Sequence, residues 1–165
     1  MSRVTAYFCL GSNIKPEENI RFAVERVQQN FNKVKISNLY KTSAIGFKGD
    51  DFLNMAVSVK TRRSLRQLLN YADQLEKEAG RVRVERGRYD SRTLDVDLVM
   101  YGDLQGTHKG KHWPSRDIHK DAHVLLPLSE IAGTKKHPVL GINFRELWNN
   151  FDIGKQKIKR MNVDW

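Results

Sequence analysis

Across residues 4–101 the hydrophobic period switches between two and about 3.6 residues, in the order strand, helix, strand, strand, helix, strand. Residues 4–10 are a short apolar strand that stops at Gly11, Ser12 and Asn13, a turn signal. Pro16 followed by Glu17 and Glu18 opens a helix, because proline suits the first helical position and acids suit the first turn. Ile20, Val24, Val27 and Phe31 form its apolar stripe. Residues 33–42 read as a second strand, and 45–51 as a glycine-containing loop. Residues 52–61 alternate cleanly: Leu53, Met55, Val57 and Val59 face one side, and Phe52, Asn54, Ala56 and Ser58 face the other.

A capping box at Ser64 and Gln67 starts the second helix, with Leu65, Leu68, Leu69, Ala72, Leu75 and Ala79 as its stripe and Gly80 as its stop. The fourth strand follows an arginine-rich stretch. Leu94, Val96, Leu98 and Met100 are expected on its core face. The expected fold is therefore α+β, a ferredoxin-like βαββαβ core. Extra C-terminal elements follow, in a single domain of three-layer type over residues 1–165. Residues 102–142, with Pro114, Pro127 and Pro138, read as a looser region. A short helix near 143–151 carries Phe144, Leu147, Trp148 and Phe151.

Composition narrows the partners. A net charge of +10 points to anionic ligands without choosing among nucleotides, nucleic acid and acidic membranes. The lysines and arginine at 155, 157, 159 and 160 read as a solvated strand face. The single cysteine, Cys9, lies in an apolar run and reads as a buried, unreactive thiol in a reducing compartment. No apolar run approaches the roughly 20 residues of a membrane span, and no signal-peptide segment is evident, so a cytoplasmic location is expected.

The chemistry concentrates at 92–98, Arg-Thr-Leu-Asp-Val-Asp-Leu. Strand parity puts Asp95 and Asp97 on one face, where two carboxylates repel unless a cation lies between them. Oxygen ligands in this arrangement suit Mg²⁺, whereas the bland alternative is a pair of acids serving turns or salt bridges. Arg81, Arg83, Arg86, Arg88 and Arg92 outnumber the nearby acids Glu85 and Asp90, and guanidinium forks match phosphate oxygens. No P-loop or dinucleotide glycine motif occurs, so arginines and metal must hold any nucleotide. Phe52 and Asn54 share a strand face. They read equally as core and surface residues or as a stacking ring and a hydrogen-bonding edge for a flat heterocycle. His108 with His112, and His119 with His123, have zinc-like spacing, but Gly106, Gly110 and Pro114 argue against the continuous helix such a site needs.

Taken together, Gly11-Ser12-Asn13, Tyr40-Lys41-Thr42, Phe52-Leu53-Asn54, Glu76 with Gly80-Arg81-Val82-Arg83, Arg92-Thr93-Leu94-Asp95-Val96-Asp97 and Leu126-Pro127-Leu128 resemble the 6-hydroxymethyl-7,8-dihydropterin pyrophosphokinase family of folate biosynthesis. The resemblance implies transfer of pyrophosphate from ATP to a pterin hydroxymethyl group, with release of AMP. It implies two Mg²⁺ ions on Asp95 and Asp97, and catalytic roles for these acids with Arg81 and Arg92. It further implies ATP contacts from Glu76, Arg83, Arg86, Arg88, Arg92, Leu98 and Arg116. A pterin pocket would comprise Thr42, Ser43, Ile45, Phe52, Asn54 and His123, and the arginine stretch, with Tyr89, would form a lid over ATP. The expected protein is a monomer that takes ATP and a pterin-type molecule, and neither nucleic acid nor membrane.

Departures from that family cluster at Ser43, Ser115, Asp121 and His123, where it commonly has proline, histidine, arginine and phenylalanine. They motivate an alternative: a paralogue that pyrophosphorylates a different pterin-like alcohol. A basic RNA-binding module accounts for the charge and fold. It lacks the aromatic signature of such modules and leaves the acid pair unexplained.

Overall fold

The computed structural model of the chain describes residues 2–43, 51–80 and 94–163. β1 (Val4–Ser12) runs two residues past the apolar stretch, and α1 (Pro16–Asn30) begins at the proline with both glutamates in its first turn. The expected second strand is split into β2 (Asn32–Ile36) and β3 (Leu39–Thr42). Both pair antiparallel with β4 (Phe52–Thr61). At the split, the Ser37 hydroxyl accepts the Ala56 N–H at 2.9 Å, while the Ser37 N–H donates to the Ala56 carbonyl at 2.9 Å. A side chain thus stands in for one ladder acceptor, and the chain breaks step without orphaning β4. α2 (Leu65–Glu78) has the full capping box at Ser64 and ends at Gly80, whose φ of +79° suits a residue without Cβ.

β5 (Asp95–Tyr101) pairs with β1, and the sheet order is β5-β1-β4-β3-β8, with β2 also alongside β4 and β8 (Ile158–Met161) outermost. The four strands of the core have the ferredoxin-like order, and the helices lie in two layers. On one face Phe8, Leu10, Met55, Val57, Val59, Val96 and Leu98 meet Ile20, Val24 and Val27 of α1 and Leu68 and Leu75 of α2. On the other, Tyr7, Ala56, Val99 and Met100 meet Val124, Leu125 and Leu128 of α3 (Ala122–Ile131) and Phe144 of α4 (Phe144–Asn149).

Met100 corrects the expectation that it shares a face with Leu98. Tyr7 lies opposite Met100 while Phe8 lies opposite Leu98, so Val99 is an extra residue in β5. One inserted residue inverts the parity of everything after it.

The region expected to be loose is built. β6 (Gly106–His108) and β7 (Lys111–Trp113) form a hairpin whose two turn residues, Lys109 and Gly110, both have positive φ, at 54° and 74°. A single 3₁₀ turn (Arg116–His119) follows and leads into α3. The basic tail is solvated but is no single strand face: Lys155 and Lys157 are exposed ahead of β8, and Lys159 and Arg160, adjacent on it, point to opposite sides. Among the described residues, no helix is long and apolar enough to cross a membrane.

Candidate active site

The α3 face of the sheet carries a row of unusual side chains at one end. Gly11 of β1 lies between Asp95 of β5 and Asn54 of β4, and Cys9 lies opposite Asp97. Thr42 of β3 pairs with Phe52. Three strand-to-strand registers thus converge on a cavity of about 260 Å³, lined by Cys9, Gly11, Thr42, Ser43, Phe52, Asn54, Asp95, Asp97, Asp117 and His123. Gly11 leaves room for the amide: a Cβ there would sit 3.1 Å from the Asn54 amide oxygen, which would have to give way by a few tenths of an ångström. Asn54 is buried, and its amide nitrogen donates to the Thr42 hydroxyl at 2.7 Å. That bond fixes which edge of the amide meets the cavity.

The electrostatics are those of a cation site. Burial pushes the Asp97 carboxyl up from its ordinary range; Lys111 pulls it down, and Asp95 and Asp117 push it further up. The Lys111 ammonium lies 2.9 Å from an Asp97 oxygen. Burial, then Asp97, Asp95 and Asp117, push the Cys9 thiol well up, so it stays protonated; it is half-buried on the cavity wall. The expected burial of Cys9 is corrected, because its side of β1 opens on the cavity. The donor set fits Mg²⁺, with hard carboxylate oxygens and a neighbouring acid that keeps the local potential negative. Among the described residues, no group of three or more His, Cys, Asp or Glu could hold a metal by itself. An ion on Asp95 and Asp97 would therefore draw its remaining ligands from substrate oxygens and water, the usual situation for Mg²⁺ beside phosphates.

The cavity brings together seven of the residues expected from sequence: Thr42, Ser43, Phe52, Asn54, Asp95, Asp97 and His123. Others are elsewhere. Glu76 is buried, and its carboxylate accepts the Val96 N–H at 2.8 Å, bracing β5 between the two aspartates. Leu98 projects into the α1/α2 core and offers a ligand only its main chain. Arg116 is exposed on the 3₁₀ turn and is not on the cavity wall. Arg81, Arg83, Arg86, Arg88, Tyr89, Arg92 and Ile45 lie outside the described residues.

One of the departures has a structural duty: the Ser115 hydroxyl accepts the Asp117 N–H at 3.3 Å and starts the 3₁₀ turn. Asp121 precedes α3, where its main-chain carbonyl accepts the N–H groups of Val124 and Leu125 and its side chain makes no cap hydrogen bond. The zinc reading fails. His108 and His112 lie on opposite strands of a hairpin, bonded to the carbonyls of Gln105 and Pro114.

Sequence reasoning missed Asp117 and Lys111. Both come from the segment read as irregular, and neither has a local motif; only the hairpin and the 3₁₀ turn carry them to the acid pair.

The model of the family described as 7,8-dihydro-6-hydroxymethylpterin-pyrophosphokinase (HPPK) matches residues 7–133. The chain belongs to this family. The HPPK match spans every residue of the cavity wall, whereas α4 and β8 fall beyond it. Among curated relatives, the 2-amino-4-hydroxy-6-hydroxymethyldihydropteridine pyrophosphokinase of Haemophilus influenzae is 35% identical over 133 residues, 78% of this chain and 82% of its own. The enzyme of the same name from Bacillus subtilis is 35% identical over 131 residues, 77% of each chain. A solved HPPK-DHPS in complex with substrates superposes with a TM-score of 0.67 at 15% identity, over 98% of this chain. The present chain spans 47% of that one, and the likeness establishes the ferredoxin-like fold alone.

Proposed function

We propose that the protein transfers pyrophosphate from ATP to the hydroxymethyl oxygen of 6-hydroxymethyl-7,8-dihydropterin, releasing AMP. The observation that carries this reading is the cavity itself. One 260 Å³ space is bounded by the acid pair and by a ring, an amide and two hydroxyl side chains suited to a flat heterocycle. Asn54, its orientation set by Thr42, reads the heterocycle's edge, and Phe52 and His123 offer faces for stacking. Ser43 and Ile45 complete the pterin side. Asp95 and Asp97 would hold two Mg²⁺ ions, which would supply charge stabilisation to the triphosphate and lower the pKa of the attacking alcohol. The alcohol oxygen attacks the β-phosphorus as its hydroxyl proton passes to water, the bond from that phosphorus to the α,β-bridging oxygen breaks, and AMP leaves with the electron pair. Arg81, Arg83, Arg86, Arg88 and Arg92 neutralise the phosphates, joined by Arg116 and by the main chain at Leu98. Glu76 serves the nucleotide side by holding β5 in place.

The protein is expected to act as a cytoplasmic monomer, with no nucleic-acid or membrane partner. Purified protein with ATP, Mg²⁺ and the pterin should release AMP in step with pterin diphosphate. No AMP at saturating substrate would sink the proposal. A second reading, a different pterin-like alcohol, is favoured by one observation: Ser43, Asp117 and His123 make the wall more polar than an aromatic and a proline would. A panel of pterin alcohols in the same assay separates the two.

A further inference from the structure

We infer that Lys111 is a built-in counter-ion for the acid pair, and that its displacement couples metal entry to nucleotide entry. The inference rests on the pyrophosphokinase reading of the cavity. Lys111 is no stray surface charge. Its ammonium is 2.9 Å from Asp97, with both side chains only partly exposed, at 43% and 35%. The hairpin that carries it is anchored: Trp113 is fully buried, and its indole N–H donates to the His108 carbonyl at 2.9 Å. Lys111 and Trp113 are two residues apart on β7, and the ammonium stands 5.6 Å from the indole ring centroid. The tight turn at Lys109 and Gly110 fixes the strand that presents them.

A divalent ion on Asp97 and the Lys111 ammonium claim the same carboxylate, and two cations there repel. The ion must therefore displace the ammonium, which then needs another anion. A lysine is a compact charge on a flexible stem and can make such a move, whereas a forked guanidinium is tied to its geometry. Triphosphate oxygens bound to the same ion provide the new partner. Metal alone consequently binds against Lys111, and metal with nucleotide does not. This is a positive coupling, and linkage makes it reciprocal: each ligand tightens the other by the same factor. Lys111 is thus a positioning residue for the reaction, favouring joint filling of the site by metal and nucleotide.

The test uses the full chain as wild type, Lys111→Met and Lys111→Arg. Free Mn²⁺ is measured by electron paramagnetic resonance, and a non-hydrolysable ATP analogue is titrated calorimetrically with and without Mn²⁺. In Lys111→Met, Mn²⁺ alone should bind about fivefold tighter, and the factor by which Mn²⁺ tightens the nucleotide should fall by the same amount. Lys111→Arg should tighten Mn²⁺ less than Lys111→Met does, because it retains a charge. An unchanged Mn²⁺ affinity in Lys111→Met, with normal nucleotide binding, overturns the counter-ion role and leaves the enzyme reading standing. Absence of both Mn²⁺ and nucleotide binding in the wild type overturns the two together.

Discussion

The two faces of the sheet differ in what their side chains are for. The α1/α2 face is apolar from Phe8 to Leu98 and closes on itself. The α3/α4 face is apolar only over part of its area, and its other end carries two aspartates, a thiol and a buried amide around a cavity. Adjacent residues of one strand therefore answer to opposite demands. Leu98 contributes to stability through burial, while Asp97, one residue earlier, is held where burial opposes its charge. Substitutions on the first face should lower stability and spare chemistry; substitutions on the second should do the reverse.

The largest effect is expected from Asp97→Asn. Losing a metal-holding carboxylate should lower turnover by about 10³-fold or more. The matching change, Leu98→Ala, should cost about 2–5 kcal/mol in denaturant unfolding while leaving activity per folded molecule near normal. A folded, active Asp97→Asn variant would break the contrast outright.

The same residue carries a pH signature. Its carboxyl is raised above the ordinary 3.8, so its favourable contribution to folding is fully present below about pH 3.8 and is lost as pH rises through the folded value. Without added metal, Asp97→Asn should therefore match wild type at pH 3–4 and become the more stable of the two toward neutrality. Thermal melts across that range decide it. A variant that is less stable at pH 7 would mean that Lys111 outweighs burial at Asp97.

How much of this contrast could be read beforehand follows from where the information lies. β4 and the apolar stripes of both helices were legible because period and parity are local. The same parity put Asp95 with Asp97 and Phe52 with Asn54, and the structure gathers all four on one cavity. Three features were not legible. The bulge at Val99 has no signature, since valine suits regular and bulged strands alike. The split at Ser37 and Asn38 depends on Ala56 and Glu130, distant in sequence. α3 was hidden by Pro127 in its interior, which the helix accommodates because Val124, Leu125 and Leu128 are buried beneath α4 and the sheet. Lys111 and Asp117 reach the acids only through the β6–β7 hairpin and the 3₁₀ turn.

Glu76 reaches from α2 to the main chain of β5 and so links the apolar face to the strand that carries the acids. Its carboxylate holds the Val96 N–H, so Glu76→Ala should cost about 1–3 kcal/mol by leaving a buried donor unpaired. Glu76→Gln keeps an oxygen acceptor and should retain most of that stability. If Glu76 acts only as a brace, the glutamine variant also keeps nucleotide affinity. A selective loss of ATP binding in a stable glutamine variant would place its carboxylate in the nucleotide site as well.

The smallest effect is expected at Asp121. Its family-like replacement, Asp121→Arg, looks on sequence alone like the restoration of a phosphate contact. In the fold, however, Asp121 precedes the first turn of α3 and is absent from the cavity wall, while Asp117, on the preceding 3₁₀ turn, lines it. Burial and Asp117 raise the Asp121 carboxyl, and His123 and Lys120 lower it. An arginine there should change ATP affinity by less than about threefold. It should also cost roughly 0.3–1 kcal/mol of stability, because a cation replaces an anion at a helix N-terminus. Calorimetric titration with ATP, beside a denaturant melt, separates the two terms. A tenfold gain in ATP affinity would mean that the nucleotide reaches across the α3 N-terminus. The polar side of the molecule would then extend one helical turn further than the cavity does.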